Sequence, residues 1–258
     1  MINLKDKISI YKYHLWFNRQ MTILEKKHIK SIRNVLAEQF EDVADYLLHG
    51  IGLESANDAV NFNQKDLEKT YLNLYQSTTE AFHNKGIKEL KSSYAIDKKA
   101  SEEEYWYHIN KWIKKTTADK VVNVQDHTKK MLKKIISRGL NKGLSNADIA
   151  KEVLELKEIS TAYRAMKIVR TEVHTAAVNA VNETMLDAGM SMMKMWSSAR
   201  DERTRIDHSE ADAFYSDNPI SLEEAFVVGG DILNFPGDPN GSPGNIINCG
   251  CIVLYETK

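Results

Sequence analysis

Along the first half of the chain, apolar residues return every three or four positions, the repeat of one helix face. Ile23, Ile29, Ile32, Val35, Leu36, Phe40, Val43 and Leu47 follow it, and neither proline nor glycine interrupts before Gly50. The spacing predicts one long helix stopped by His49-Gly50-Ile51-Gly52. A second is predicted from about Gln64 to Lys91. Leu67, Tyr71, Leu74, Tyr75, Thr78 and Phe82 mark its inner face, and Lys85-Gly86 reads as a cap or an interruption. Residues 92–100 read as a connector. Ser101, followed by Glu102, Glu103 and Glu104, reads as an N-cap with acids in the first turn, where the helix dipole favours them. That helix carries Trp106, Ile109, Trp112 and Ile113. Val121, Val124, Met131 and Ile135 continue the repeat until Gly139 and Gly143 break it. Ser145-Asn146-Ala147-Asp148 has the grammar of a capping box and opens a short helix through Ile149, Val153 and Leu156. Another is predicted from about Thr161 to Asp187, with Ala162, Met166, Val169, Val173, Ala176, Ala180 and Val181 as its apolar stripe.

Beyond Met190 the helical repeat is lost. Met193–Trp196, Phe226–Val228, Ile232-Leu233 and Cys251–Tyr255 read as short strands or loop anchors. The residues between are rich in Asp, Ser, Gly, Pro and Asn, and all four prolines of the chain fall after residue 218. The predicted fold class is α+β and mostly α-helical: long N-terminal helices, then a small loop-rich α+β module. The division follows as a helical region over 1–138 and a second module over 139–258, with helices at 145–188 and an α+β piece at 190–258. A piece of that size supports only a marginal core, so it must lean on the helices or on a bound metal.

Charge sharpens the division. Net charge over 258 residues is −1, yet residues 1–170 carry 30 Lys and Arg against 22 Asp and Glu, and residues 171–258 carry 5 against 14. The basic part suits phosphate, or simply a solvated helical surface, while the acidic part is repelled by phosphate. Lys129, Lys130, Lys133 and Lys134 cluster on one helical stretch and are the candidate DNA contacts. With 42% hydrophobic and 28% charged residues, composition is that of a globular chain. No apolar run approaches the roughly 18–20 residues that span a bilayer, and Met1–Ile10 has no signal-peptide pattern. The reducing cytoplasm is therefore the expected site of synthesis, and the two cysteines are expected to be thiols.

The densest polar constellation lies in the acidic part. Asp201, His208, Cys249 and Cys251 together offer a carboxylate, an imidazole and two thiolates, a donor set that suits zinc. Cys-x-Cys is not the usual zinc-knuckle spacing, so two small buried residues on one strand face are the competing reading. Arg170 and Glu172 read as a structural tie between the 161–187 helix and the acidic piece, and Arg203 and Arg205 as further structural ties. The aromatic group Tyr105, Trp106, Tyr107 and Trp112 reads as core. Phosphate-loop, dinucleotide-binding, nucleophile-elbow and His-Glu-x-x-His patterns are absent from the sequence.

Several of these residues also fall in a known order. Arg164–Glu172 reads R-A-M-K-I-V-R-T-E and resembles the R-A-x-x-I-A-R-T-E helix of phage minor head proteins. Gly143-Leu144-Ser145, with Ile149-Ala150, precedes it. Lys194-x-Trp196, Asp201–Arg205, His208, Phe226 with a glycine pair, Pro236-Gly237-Asp238 and Asn248-Cys249-Gly250-Cys251 follow. Over about residues 139–255 that order is similar to the phage Mu protein F-like, head-morphogenesis family. Gly250 stands where the family commonly has Arg, which removes a cation from that loop. The glycine often found soon after the His is also missing before Gly229.

The resemblance implies a minor capsid component in the virion head or procapsid, made in the bacterial cytoplasm. It implies association with the portal, major capsid or scaffolding protein, and a part in head assembly, DNA packaging or ejection. Double-stranded DNA is the candidate partner of the lysine cluster, and neither a membrane partner nor catalysis is expected. Some relatives carry toxin domains beyond the shared module, and none is expected here. Two other readings stay open from the residues alone: a metal-dependent hydrolase or nuclease, or toxin-like enzyme, built on the Asp/His/Cys-x-Cys cluster, and an adaptor whose helices bind another protein.

Overall fold

A computed structural model describes residues 7–49, 61, 63–94 and 102–257. Four long helices come first: α1 (Lys7–Leu48), α2 (Gln64–Tyr94), α3 (Glu102–Asn141) and α4 (Asn146–Asp187). Then follow β1 (Met192–Ser197), α5 (Ile206–Asp217), β2 (Ile220–Ser221), β3 (Phe226–Val228), β4 (Asp231–Leu233), the single turn α6 (Pro243–Ile246) and β5 (Ile252–Thr257). The class is α+β and mostly helical. The Gly50-Ile51-Gly52 stop, the connector beyond residue 94 and the Ser101 cap lie outside the described residues.

Three expected breaks are continuous helix. Gly86 and Gly139 both sit inside helices. In each case the missing side chain admits a neighbour: a Cβ would lie 3.0 Å from Thr184 Cγ2 at Gly86, and 2.6 Å from Ile149 Cγ1 at Gly139. Glycine is there for close packing, and its cost in helix propensity is offset by tertiary contact. α4 likewise runs unbroken through 157–161, where the sequence pattern divides it in two. Gly143, with φ +70, does end α3. The Ser145 hydroxyl accepts the Asp148 N–H at 3.2 Å and caps α4 as its sequence indicates.

The chain divides into two compact units. One comprises Lys26–Leu74 and Ile113–Val169. Its core is Phe40, Val43, Ala44 and Leu47 of α1, Leu132 and Ile136 of α3, and Ile149, Ala150 and Val153 of α4. A buried polar chain accompanies it: Arg164 Nη2 donates to Thr128 Oγ1 (2.8 Å), which donates to Gln39 Oε1 (2.8 Å), while Asn63 Nδ2 donates to the Val35 carbonyl (2.7 Å).

The other unit comprises Met1–Glu25, Tyr75–Trp112 and Arg170–Lys258. Residues 171–182 of α4 are buried on every side, so the expected stripe has no polar flank there. Their polar groups bond inward: Tyr75 donates to Glu172 Oε2 (2.6 Å), Tyr255 to Asn182 Oδ1 (3.4 Å), and His83 Nδ1 meets Thr184 Oγ1 (2.8 Å). Phe17 and Phe82 pack beside them with ring centroids 4.9 Å apart. The sheet has the order β2-β1-β5, all antiparallel, with Met192 opposite Thr257 and Ser197 opposite Ile252. β3 and β4 form a hairpin turned by Gly229 (φ +56) and Gly230 (φ +85), a two-residue turn that requires left-handed residues. α5, in a stretch the sequence pattern left as loop, packs on β1 and β3.

Candidate functional site

β1 carries Trp196, which is fully buried, to the centre of this site. Its ring stands edge-on to Phe226 and to His208, each at 5.4 Å between centroids. His208 lies in the first turn of α5. That helix starts at Arg205, whose Nη2 donates to the Ile247 carbonyl at 2.5 Å and so ties the start of α5 to the loop before β5.

That loop is shaped by α4. Thr171 Oγ1 accepts the N–H of Asn248 (3.1 Å), a non-glycine residue held at φ +55. His174 Nε2 donates to the Cys251 carbonyl (2.7 Å), and Thr175 Oγ1 donates to the Gly237 carbonyl (2.8 Å). Gly237, at φ +82, has no room for a side chain: a Cβ would lie 2.8 Å from His174 Nδ1. The result brings Cys249 and Cys251 to His208. His208 Nδ1 is 3.2 Å from Cys251 Sγ and 3.7 Å from Cys249 Sγ, and the three donor atoms all lie within 4.8 Å of one another. Their residues are 2%, 3% and 2% exposed. His208 Nε2 has no hydrogen-bond partner among the described residues.

The two thiols share their protons unequally. Cys249 is held well below the ordinary thiol range, first by the hydrogen bond from Cys251 and then by that from His208, against the effect of burial. Cys251, the donor, is pushed up. The cluster therefore favours a thiolate at Cys249.

Asp201 is placed elsewhere. It is exposed in a local turn, where its carboxylate accepts the Arg203 N–H (3.0 Å) and Arg203 Nη2 (2.8 Å). Among the described residues, His208, Cys249 and Cys251 are the group of metal-capable side chains, and Asp201 is not in it. The acid close to this region is Asp212 of α5. It accepts Ser198 Oγ (2.7 Å) and a two-pronged contact from Arg200 (2.8 and 2.9 Å), and Arg200 has φ +54. Burial pushes the Asp212 carboxyl up, but Arg200 and Ser198 hold it below its ordinary value.

The ties expected at Arg170, Glu172, Arg203 and Arg205 distribute differently. Arg205 joins the start of α5 to the 247 loop, both within the acidic piece. Glu172 is bound by Tyr75, Arg203 pairs with Asp201, and Arg170 is exposed on α4. The bonds from α4 to the cysteine loop come from Thr171 and His174, and Thr175 holds the neighbouring segment at Gly237; in the sequence all three look like ordinary interior helix. Lys130, Lys133 and Lys134 lie on α3 of the other unit together with Lys129. Near them His127 is pushed down by burial and by the charges of Arg164, Lys167 and Lys130.

Residues 130–254 match the family described as phage Mu protein F like protein. These residues belong to the phage Mu protein F-like family. The Mu F-like segment thus contains the whole His208–Cys249–Cys251 cluster, the Arg164–Glu172 stretch and three of the four lysines. The chain is also similar to the minor head protein GP7 of Bacillus phage SPP1, at 30% identity over 123 residues. That alignment covers 46% of this chain and 38% of the relative, so the chain spans well under half the relative's length. No solved structure matches the chain.

Proposed function

We propose that this chain is a minor head protein of a tailed phage or prophage. In this reading it associates with the portal or procapsid, takes part in head assembly, DNA packaging or ejection, and does so without catalysis. The observation that carries it is the Mu F-like match over residues 130–254, together with the similarity to a minor head protein. The burial of the three site donors supports a non-catalytic role, because a polymeric substrate would have to reach side chains only 2–3% exposed.

The basic helices are the proposed DNA-facing part. Lys130, Lys133 and Lys134 are spaced three and four apart, which puts them on one side of α3. Arg164 and Lys167 of α4 add to the positive field there. The acidic C-terminal residues, repelled by phosphate, are the proposed protein-facing part.

Mass spectrometry of particles from an induced source strain tests the reading. The chain is expected at low copy in procapsids, in mature virions or in both. Its absence from both, while it is expressed, overturns the head assignment.

A further inference from the structure

We propose that His208, Cys249 and Cys251 bind one zinc ion, which fastens the first turn of α5 to the loop that leads into β5. The inference stands on this cluster alone and does not depend on a role in the phage head.

The geometry points to it first. Zinc bonds to thiolate at about 2.3 Å and to imidazole at about 2.0 Å, so in a tetrahedral site nitrogen and sulfur ligands lie about 3.5 Å apart. The observed N–S separations, 3.2 and 3.7 Å, bracket that edge, and all three donors fall within 4.8 Å. A loop and a helix separated by some 40 residues in sequence are brought to one point, with no other acid, His or Cys among the described residues in the group.

The surroundings agree. The Cys251 N–H faces Cys249 Sγ at 3.5 Å and supports negative charge on that sulfur. The backbone that presents the pair is fixed from α4 by Thr171 and His174, and Asn248 takes a left-handed conformation to make the presentation. Two sulfurs and an imidazole form a borderline-soft set, which selects zinc over calcium or magnesium. Near-complete burial makes this a fastening rather than a site open to substrate. Three protein donors leave the fourth position to a solvent molecule. The strands here are two to six residues long, so a cross-link between α5 and the β5 entry supplies cohesion that the small sheet alone does not.

The full chain, purified under reducing conditions without chelators, is expected to contain one zinc per molecule. Exchange with cobalt is expected to give a thiolate-to-cobalt charge-transfer band. That band is weakened in Cys249→Ser, weakened in Cys251→Ser and retained in Asp201→Asn. Because the serine variants can lose the fold, the unaltered chain provides a second readout. Strong chelation is expected to lower its melting temperature and to open both thiols to a thiol reagent, and added zinc to reverse both. The proposal is overturned if the folded, reduced chain carries no stoichiometric metal. It is also overturned if the cysteines are isolated as a Cys249–Cys251 disulfide, if chelation changes neither melting nor thiol reactivity, or if zinc persists when both cysteines are serine.

Discussion

Lys194 is a buried cation, and burying a charge opposes folding. It sits in the middle strand β1 at 1% exposure, donates to the Asn234 carbonyl at 2.9 Å and lies 5.0 Å over the Phe226 ring. Burial pushes its amine down to about 8, with Glu223, Asp238 and Glu224 pulling weakly the other way. The ordinary lysine value is 10.5. Between those two values the unfolded chain holds a proton that the folded chain does not, so this group makes stability rise with pH from about 8 to about 10.5, by at most about 1.4 kcal/mol per unit. Denaturant unfolding at pH 8 and pH 9.5 is expected to show this gain in the unaltered chain and a smaller one in Lys194→Met. Equal slopes in the two proteins would refute the assignment. At this scale the sequence showed which side chains could do chemistry, but not which would meet. Cys249, Cys251 and His208 are rare, reactive types and stand out. Asp201 stands out equally and pairs with Arg203 instead. Thr171 and His174, which hold the cysteine loop, and Thr175, which holds the Gly237 segment, gave no signal because a hydroxyl or imidazole inside an apolar helix looks incidental until its partner is known.

Periodicity located the long helices because a helix half-covered by others writes its buried side into the sequence. The Leu67, Tyr71, Leu74, Tyr75, Thr78 and Phe82 face of α2 is buried throughout. Where burial is complete, as over 171–182 of α4, the pattern carries less information about orientation. Ala162 and Met166 belong to the stripe that the spacing predicts but are exposed, and Ala165 is inside. Met193–Trp196 and the strands at 226–228 and 252–257 were legible from their apolar runs. α5 was not, because only His208, Ala211, Asp212 and Tyr215 are buried and two of those are polar. The glycines within α2 and α3 mislead for a related reason: a local breaker is tolerated when a neighbour needs the space. Gly139→Ala therefore tests packing against propensity. Alanine favours a helix by about 1 kcal/mol, yet the added methyl would meet Ile149, and overpacking costs about 1–3 kcal/mol. Thermal unfolding is expected to show a net loss, and Gly139→Ala with Ile149→Ala should lose less than the sum of the two single changes. A Gly139→Ala chain as stable as the original would show that Ile149 gives way freely.

Across the whole chain the opposed charges of its two parts are plain in the sequence and carry a direct test. Neutralising Lys129, Lys130, Lys133 and Lys134 to Gln is expected to weaken binding to duplex DNA regardless of its sequence. It should also flatten the salt dependence by about 0.9 in log K against log salt for each phosphate that a lysine no longer neutralises. Unchanged affinity and slope would remove this face of α3 as a DNA-binding surface. No described helix is long and apolar enough to cross a membrane. By itself the sequence determined the helical class, the long helices, the acidic small module, the candidate donors and the family order of motifs, because each depends on residue type and spacing along the chain. Tertiary structure alone decided the rest. It assembled each compact unit from separate stretches of chain, left Asp201 outside the donor group, and brought His208 to the cysteines across some 40 residues. The last of these depends on which backbone groups Thr171 and His174 of α4 reach, and no local pattern encodes a distance between residues so far apart.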